Sequence, residues 1–238
     1  MRCPGGAEEP EVSAPDVIFY DWPYSPFCMK VRAILHYKGV DYRAVTPLGP
    51  ALMKIRRRGK IGKVPAVEID GDMIVDSTDI AYALDARFPV PPLLPEGGRE
   101  RGLCHAIEDW ADESLYFIGL YYRWYEEEGR KPIPRAFGKS LTGRIAYRFY
   151  LRRILDQLRG QGTLRKSPEH VARDLERHLD AIEAMLTPGP YLLGLVPYLC
   201  DFALWGQLYY LSRTPVGEKA IEGRAPIVAF IERVKDRK

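Results

Sequence analysis

Ser25-Pro26-Phe27-Cys28 puts a hydroxyl, a proline and a thiol in four consecutive residues, between a short apolar run, Val17 to Tyr20, and an amphipathic stretch. Ser25 stands where a helix N-cap belongs, and Pro26 at the first helical position, where its missing N–H costs nothing. Phe27, Val31, Ile34 and Leu35 then share one helix face. Free N–H groups and the dipole at such an end favour an anion, for example a thiolate. The chemistry this suggests is sulfur chemistry. Ser167-Pro168-Glu169 opens another helix with the same signature and nothing reactive around it. Ser-Pro alone is therefore a capped helix start, and Ser25 gains meaning only from its surroundings.

The elements that must position this stretch follow in order. Val17 to Tyr20 reads as a buried strand, and residues 26–38 as a helix stopped by Gly39. Asp41 to Val45 is a second strand candidate, and a Pro/Gly stretch and a basic segment run from Pro47 to Lys63. Ala66 to Ile69 and Met73 to Val75 flank Asp70-Gly71, a strong hairpin signal. Asp76-Ser77-Thr78-Asp79 opens a helix to about Phe88. This order predicts an α/β unit with helices covering a small mixed sheet. The Pro-rich residues 89–98 read as a linker. Beyond them the spacing is helical throughout: 99–128 with a broad aromatic face, 139–159 rich in Arg, a helix opened by Ser167, an almost wholly apolar run from Leu199 to Leu211, and a last helix from Pro226 to Lys235. The predicted division is a tail over 1–15, an α/β domain over 16–88, a linker over 89–98 and an all-α domain over 99–238.

Composition bounds the rest. The chain has 238 residues, 46% hydrophobic and 28% charged, and a net charge of +3 that singles out neither nucleic acid nor membrane as a partner. Cys3, Cys28, Cys104 and Cys200 match neither a disulfide framework nor a zinc spacing, and histidines 36, 105, 170 and 178 show no metal-ligand spacing. Met1 to Pro15 lacks the apolar core of a signal peptide, and no stretch approaches the roughly eighteen apolar residues of a membrane span. A reduced cytoplasm is the expected compartment, and the first fifteen residues are expected to be disordered.

Four pieces in this order resemble the soluble glutathione S-transferase superfamily, in which a thioredoxin-like domain precedes a helical one. Ser25-Pro26-Phe27-Cys28 is similar to the Cys-Pro-Phe/Tyr-Cys of glutaredoxin-like members, with serine for the first cysteine. Gly62-Lys63-Val64-Pro65 resembles the family's Gly-Lys-Val-Pro segment, whose proline is cis. Asp76-Ser77 resembles the Glu/Asp-Ser motif that grips the γ-glutamyl end of glutathione. Tyr191-Leu192-Leu193-Gly194 and Cys200-Asp201-Phe202-Ala203 resemble the stretch before the family's most buried helix. Tyr198 departs from the Ser or Thr usual there and cannot cap that helix through its side chain. The aromatic run Trp110 to Trp124 is similar to the failed-axon-connections and metaxin-like branch, whose members are often without clear transferase activity.

The resemblance implies roles. Ser25 would donate to the thiolate of bound glutathione, the co-substrate, with Cys28, Tyr24 and Tyr20 as alternatives. Val64 would pair through its backbone with the cysteinyl part, Pro65 would be cis, and Asp76, Ser77 and Lys63 would take the charged ends. The implied activity is a glutathione transferase acting on an apolar electrophile, as a homodimer without a metal. A glutathione-binding or metaxin-like module without turnover, and a thiol reductase using Cys28, are the alternatives. The basic segment Lys54, Arg56, Arg57, Arg58, Lys60 and Lys63 reads first as a solvated face, second as an attractant for anionic glutathione, and third as a nucleic-acid contact, which the lack of interleaved aromatic residues disfavours. Trp110, Tyr121, Tyr122 and Trp124 read first as core, second as the wall of a second-substrate pocket.

Overall fold

A computed structural model describes residues 15–60 and 62–235; the tail expected over 1–15 lies, but for Pro15, outside the described residues. Strand β1 (Val17–Tyr20) leads into α1 (Pro26–Tyr37), and β2 (Arg43–Val45) then pairs parallel to β1. Helix α1 ends as its sequence predicts, with Gly39 at φ +63. After α2 (Pro50–Arg58) come β3 (Ala66–Ile69) and β4 (Asp72–Val75), antiparallel to each other, with β3 antiparallel to β1. The hairpin turns through Asp70 and Gly71, both at positive φ, as a two-residue turn of this kind requires. Helix α3 (Ser77–Arg87) follows. The sheet order is β2-β1-β3-β4.

Side chains alternate across the strands, so each sheet face has its own cover. Val17, Phe19, Val67 and Ile69 pack with Val31, Ile34 and Leu35 of α1 and Ile80 and Leu84 of α3. Ile18, Tyr20 and Ala66 point the other way, onto Ile55 of α2. The segment predicted as a linker is pinned: Lys38 Nζ donates to the carbonyls of Phe88 (2.6 Å) and Pro91 (2.8 Å) and to Asp85 Oδ1 (2.8 Å).

Among the described residues beyond α3 the regular structure is helical, apart from one bridge between Tyr191 and Gly194. The predicted 99–128 helix is α4 (Gly98–Trp110), a π turn (Ala111–Leu115), α5 (Tyr116–Leu120) and a second π turn (Tyr121–Tyr125). Each π turn adds a residue to the winding and rotates the face presented next. A short α6 (Glu127–Arg130) precedes α7 (Leu141–Gln161), which replaces the 139–159 expectation. Then come α8 (Pro168–Leu186), α9 (Leu199–Ser212), α10 (Pro215–Glu222) and α11 (Ala225–Lys235). Helix α10 was not expected, although Thr214 caps it and Pro215 opens it.

Helix α9 is buried on all sides, as its apolar sequence predicts, and packs against α1, α4, α10 and α11. Its Asp201 accepts the N–H groups of Leu192 and Tyr198, both at 2.9 Å. Half of a capping box is thus present, supplied by Asp201 and not by the Tyr198 ring. Burial still pushes the Asp201 carboxyl up to about 6. Among the described residues no helix is long and apolar enough to cross a membrane.

Candidate functional site

Strand register brings the candidate residues together. Tyr20, the last residue of β1, lies opposite Ala66, the first of β3, and Ala66 lies opposite Val75, the last of β4. The segment leaving β1 holds Tyr24 and Ser25, the one entering β3 holds Lys63, Val64 and Pro65, and the one leaving β4 holds Asp76 and Ser77. Three stretches distant in sequence therefore meet at one end of the sheet. Val45, the end of β2, lies opposite Tyr20 at the same end, so α2 also starts there.

Ser25 has the extended conformation of an N-cap (φ −91, ψ 125), and its Oγ accepts the Cys28 N–H at 3.3 Å. That bond uses an oxygen lone pair and leaves the hydroxyl hydrogen for a ligand. Asp21 holds the turn by pairing with Arg32 (Nη2 to Oδ2 2.6 Å). The Val64–Pro65 peptide is cis, with Pro65 buried, Val64 half-buried and Lys63 exposed. Asp76 caps α3 by accepting the Thr78 N–H at 2.9 Å, and Ser77 is the buried first residue of that helix. Asp76 sits at φ +83, a conformation that costs a non-glycine residue about 1–3 kcal/mol and is typical of functional turns.

Two alternatives for the reacting group fail on placement. Tyr20 points to the α2 face of the sheet, away from the α1 end, because side chains alternate along β1. There its hydroxyl donates to Glu68 Oε2 at 3.1 Å. Cys28 is fully buried, its Sγ accepts the Trp22 N–H at 3.4 Å, and burial pushes its thiol up to about 12. Native protein treated with iodoacetamide at pH 8 is therefore expected to stay unmodified at Cys28, with alkylation appearing only in denaturant. Peptide mapping by mass spectrometry checks this, and rapid native labelling would restore Cys28 as a nucleophile. Tyr24 is exposed, its ring edge-on to Trp22 at 5.8 Å.

The basic segment is largely a solvated face, with Arg56, Arg57, Arg58, Lys60 and Lys63 exposed, but two of its cations reach a buried partner. Glu68, buried in β3, takes Lys54 (2.6 Å) and Arg58 (2.7 Å), and these ion pairs hold its carboxyl below the usual range despite burial. Arg56 runs over Gly62, where a Cβ would lie 2.7 Å from its Cγ, and so stays beside the Lys63-Val64-Pro65 segment. Of the aromatic candidates, Tyr121, Tyr122 and Trp124 are core; Trp124 Nε1 donates to the Tyr210 hydroxyl at 2.9 Å. Trp110 is half-buried against His178. Tyr122 does line a cavity of about 520 Å³ with Glu126, Glu176 and Val216, but none of the candidate site residues borders it. Besides Trp22 with Tyr24, a second aromatic pair close to Ser25 in sequence is Phe27 with Tyr116 of α5, ring centroids 4.7 Å apart.

Sequence reading missed Tyr116, Glu113 and Lys30. Burial raises the Glu113 carboxyl, Asp109, Asp112 and Asp76 raise it further, and Lys63 opposes them. The helical half thus contributes a carboxyl within electrostatic reach of Lys63 and Asp76. The π turn that carries Glu113 has no simple sequence signal. Lys30 reads as a surface residue by type and is fully buried. Among the described residues no group of His, Cys, Asp or Glu side chains is arranged to hold a metal ion.

Residues 19–92 match the family model for the glutathione S-transferase N-terminal domain. That match supports the glutathione S-transferase superfamily for this chain, through its N-terminal domain. Among relatives of this glutathione S-transferase-like chain is the isoprene-epoxide–glutathione S-transferase of Rhodococcus sp. (strain AD45). It is 26% identical over 220 residues, 89% of this chain and 91% of that protein. Failed axon connections of Drosophila melanogaster is 26% identical over 234 residues, covering 90% of this chain but 54% of its own length. A rice glutathione transferase, GST1, solved in complex with glutathione, has the same fold, with a TM-score of 0.67 at 19% identity over 94% of this chain and 88% of that one. The thioredoxin-like half and the helical half are thus arranged as in this superfamily.

Proposed function

We propose that the chain is a glutathione transferase in which Ser25 stabilises the thiolate of bound glutathione for attack on an electrophilic carbon. The observation that carries this reading is the strand register that puts Ser25, Val64-Pro65 and Asp76-Ser77 at one sheet end. Glutathione has a central thiol and charged ends, and these stretches offer a partner to each. The backbone of Val64 pairs with the cysteinyl unit. Ser77 and the first N–H groups of α3 take the γ-glutamyl carboxylate, and Asp76, with Glu113 opposite, takes the ammonium. Lys63 and Arg56 lie on the side left for the glycyl carboxylate.

A free thiol with pKa near about 8.5 is mostly protonated at neutral pH, and only the thiolate attacks. The Ser25 hydroxyl donates to the sulfur, and the positive end of α1 adds to its field. The sulfur then forms a bond to the electrophilic carbon as the leaving group departs or a strained ring opens. Phe27 and Tyr116 offer the second substrate an apolar aromatic wall. The relatives support this reading: the Rhodococcus enzyme is named for glutathione transfer to an epoxide.

Retention on immobilised glutathione, followed by assay against epoxides and aryl halides, tests the proposal. Retention and conjugate formation are expected. Failure to bind glutathione would overturn it, and binding without turnover on any electrophile would leave a glutathione-binding module.

A further inference from the structure

Lys30 lies five residues beyond the Ser25 cap, in the second turn of α1, with no exposed surface. Its Nζ donates to Glu108 Oε1 at 2.5 Å, to Asp112 Oδ2 at 2.7 Å and to Thr78 Oγ1 at 3.4 Å. The Thr78 hydroxyl donates to the same Glu108 oxygen. Gln207 Nε2 of α9 donates to the second Asp112 oxygen at 3.0 Å. One ammonium therefore ties α1, α3, α4 with its π turn, and α9.

Stability is a poor account of this arrangement. An ammonium and two carboxylates must leave water to form it, and apolar side chains of similar volume often serve a core as well or better. What apolar packing lacks is direction. Hydrogen bonds fix distances and angles, and here they fix one helix start against another. Thr78 follows Ser77, and its own N–H is the group that Asp76 caps. Its hydroxyl is anchored to Glu108, and Glu108 to the helix that Ser25 begins.

We propose that Lys30 is a positioning residue for the glutathione site. Through Thr78 and Glu108 it sets the start of α3, with Asp76 and Ser77, at a fixed separation from the start of α1, with Ser25. This rests on the glutathione-binding reading given above. A tripeptide that must reach both helix starts at once loses affinity when their spacing drifts, because fewer of its groups then find partners together. Once bound, its thiol still meets Ser25, so turnover of the bound complex changes less than binding.

Thr78→Val is the deciding variant, since it keeps the side-chain shape and removes only the hydroxyl; Lys30→Met strands two buried carboxylates and is prone to misfold. The measurements are KM for glutathione, kcat, the thermal midpoint, and calorimetric binding of S-methylglutathione, which has no free thiol for Ser25. Thr78→Val is expected to raise KM and weaken S-methylglutathione about tenfold, with kcat within about twofold and Thr78→Ser close to wild type. A lowered thermal midpoint with unchanged KM and S-methylglutathione affinity would make the bond purely structural and overturn the inference alone. A wild-type protein that binds neither glutathione nor S-methylglutathione overturns the functional reading and this inference with it.

Discussion

Ser25→Ala is expected to lower the turnover of glutathione conjugation about a hundredfold, the usual consequence of removing one donor aimed at a reacting anion, with little change in KM for glutathione. The rate–pH profile carries the cause. With Ser25 present, the bound thiol is expected to ionise below the value of about 8.5 for a free thiol; without it, the profile should move back toward that value, with part of the rate returning at alkaline pH. Each pH unit of that displacement corresponds to about 1.4 kcal/mol of preference for the thiolate. The variant also loses a helix cap, worth about 1 kcal/mol of stability. A matched control separates the two effects. Ser167 caps α8 with the same 3.3 Å bond to the third residue and the same following proline. Ser167→Ala should lose similar stability and no turnover. Equal kcat for Ser25→Ala and wild type would remove Ser25 from the mechanism.

Gly206→Val is expected to destabilise the fold by about 3 kcal/mol, which for a chain of this size lowers the thermal midpoint by roughly 6–12 °C. Gly206 lies where α9 crosses α1, and a Cβ there would sit 2.7 Å from the Pro26 carbonyl oxygen and 3.5 Å from the Lys30 nitrogen. Backbone cannot turn aside as a flexible side chain can, so α1 itself has to move. Helix propensity works the other way, since alanine is favoured over glycine by about 1 kcal/mol. Gly206→Ala should therefore fall between wild type and valine. Differential scanning calorimetry decides: a midpoint for Gly206→Val within about 2 °C of wild type would mean that the two helices are not in close contact.

The α/β half was legible because its signals are local. Ser25-Pro26, Gly39, Asp70-Gly71 and Asp76-Ser77 each dictate a cap or turn through their own chemistry, and the apolar runs between them have one period each. The helical half was legible in outline, through the spacing of Val171, Leu175, Leu179, Ile182 and Leu186 and the apolar run of α9. Its π turns were not, because an extra residue in a helix changes the winding without changing the residue types. Helix α10 was overlooked although Thr214-Pro215 repeats the signature used at Ser25 and Ser167; the helix is too short for periodicity to reinforce it. In the site, Tyr20 and Cys28 stayed open as alternatives to Ser25 because a strand residue's face depends on register and a thiol's reactivity on burial. Lys30 was invisible because its partners Thr78, Glu108 and Asp112 are far away in the chain.

The crossing of α1 by α9 also bears on how the protein is made. Translation completes α1 at Tyr37 and reaches the start of α9 about 160 residues later. At ribosomal speed that interval is roughly ten to thirty seconds. Throughout it, the α1 surface around Pro26 and Lys30 and the ring of Tyr37, which finally rests 5.2 Å from Phe202, have no cover from α9. The segment proposed to carry the chemistry is synthesised early and covered late, so the emerging chain exposes this α1 surface until α9 arrives.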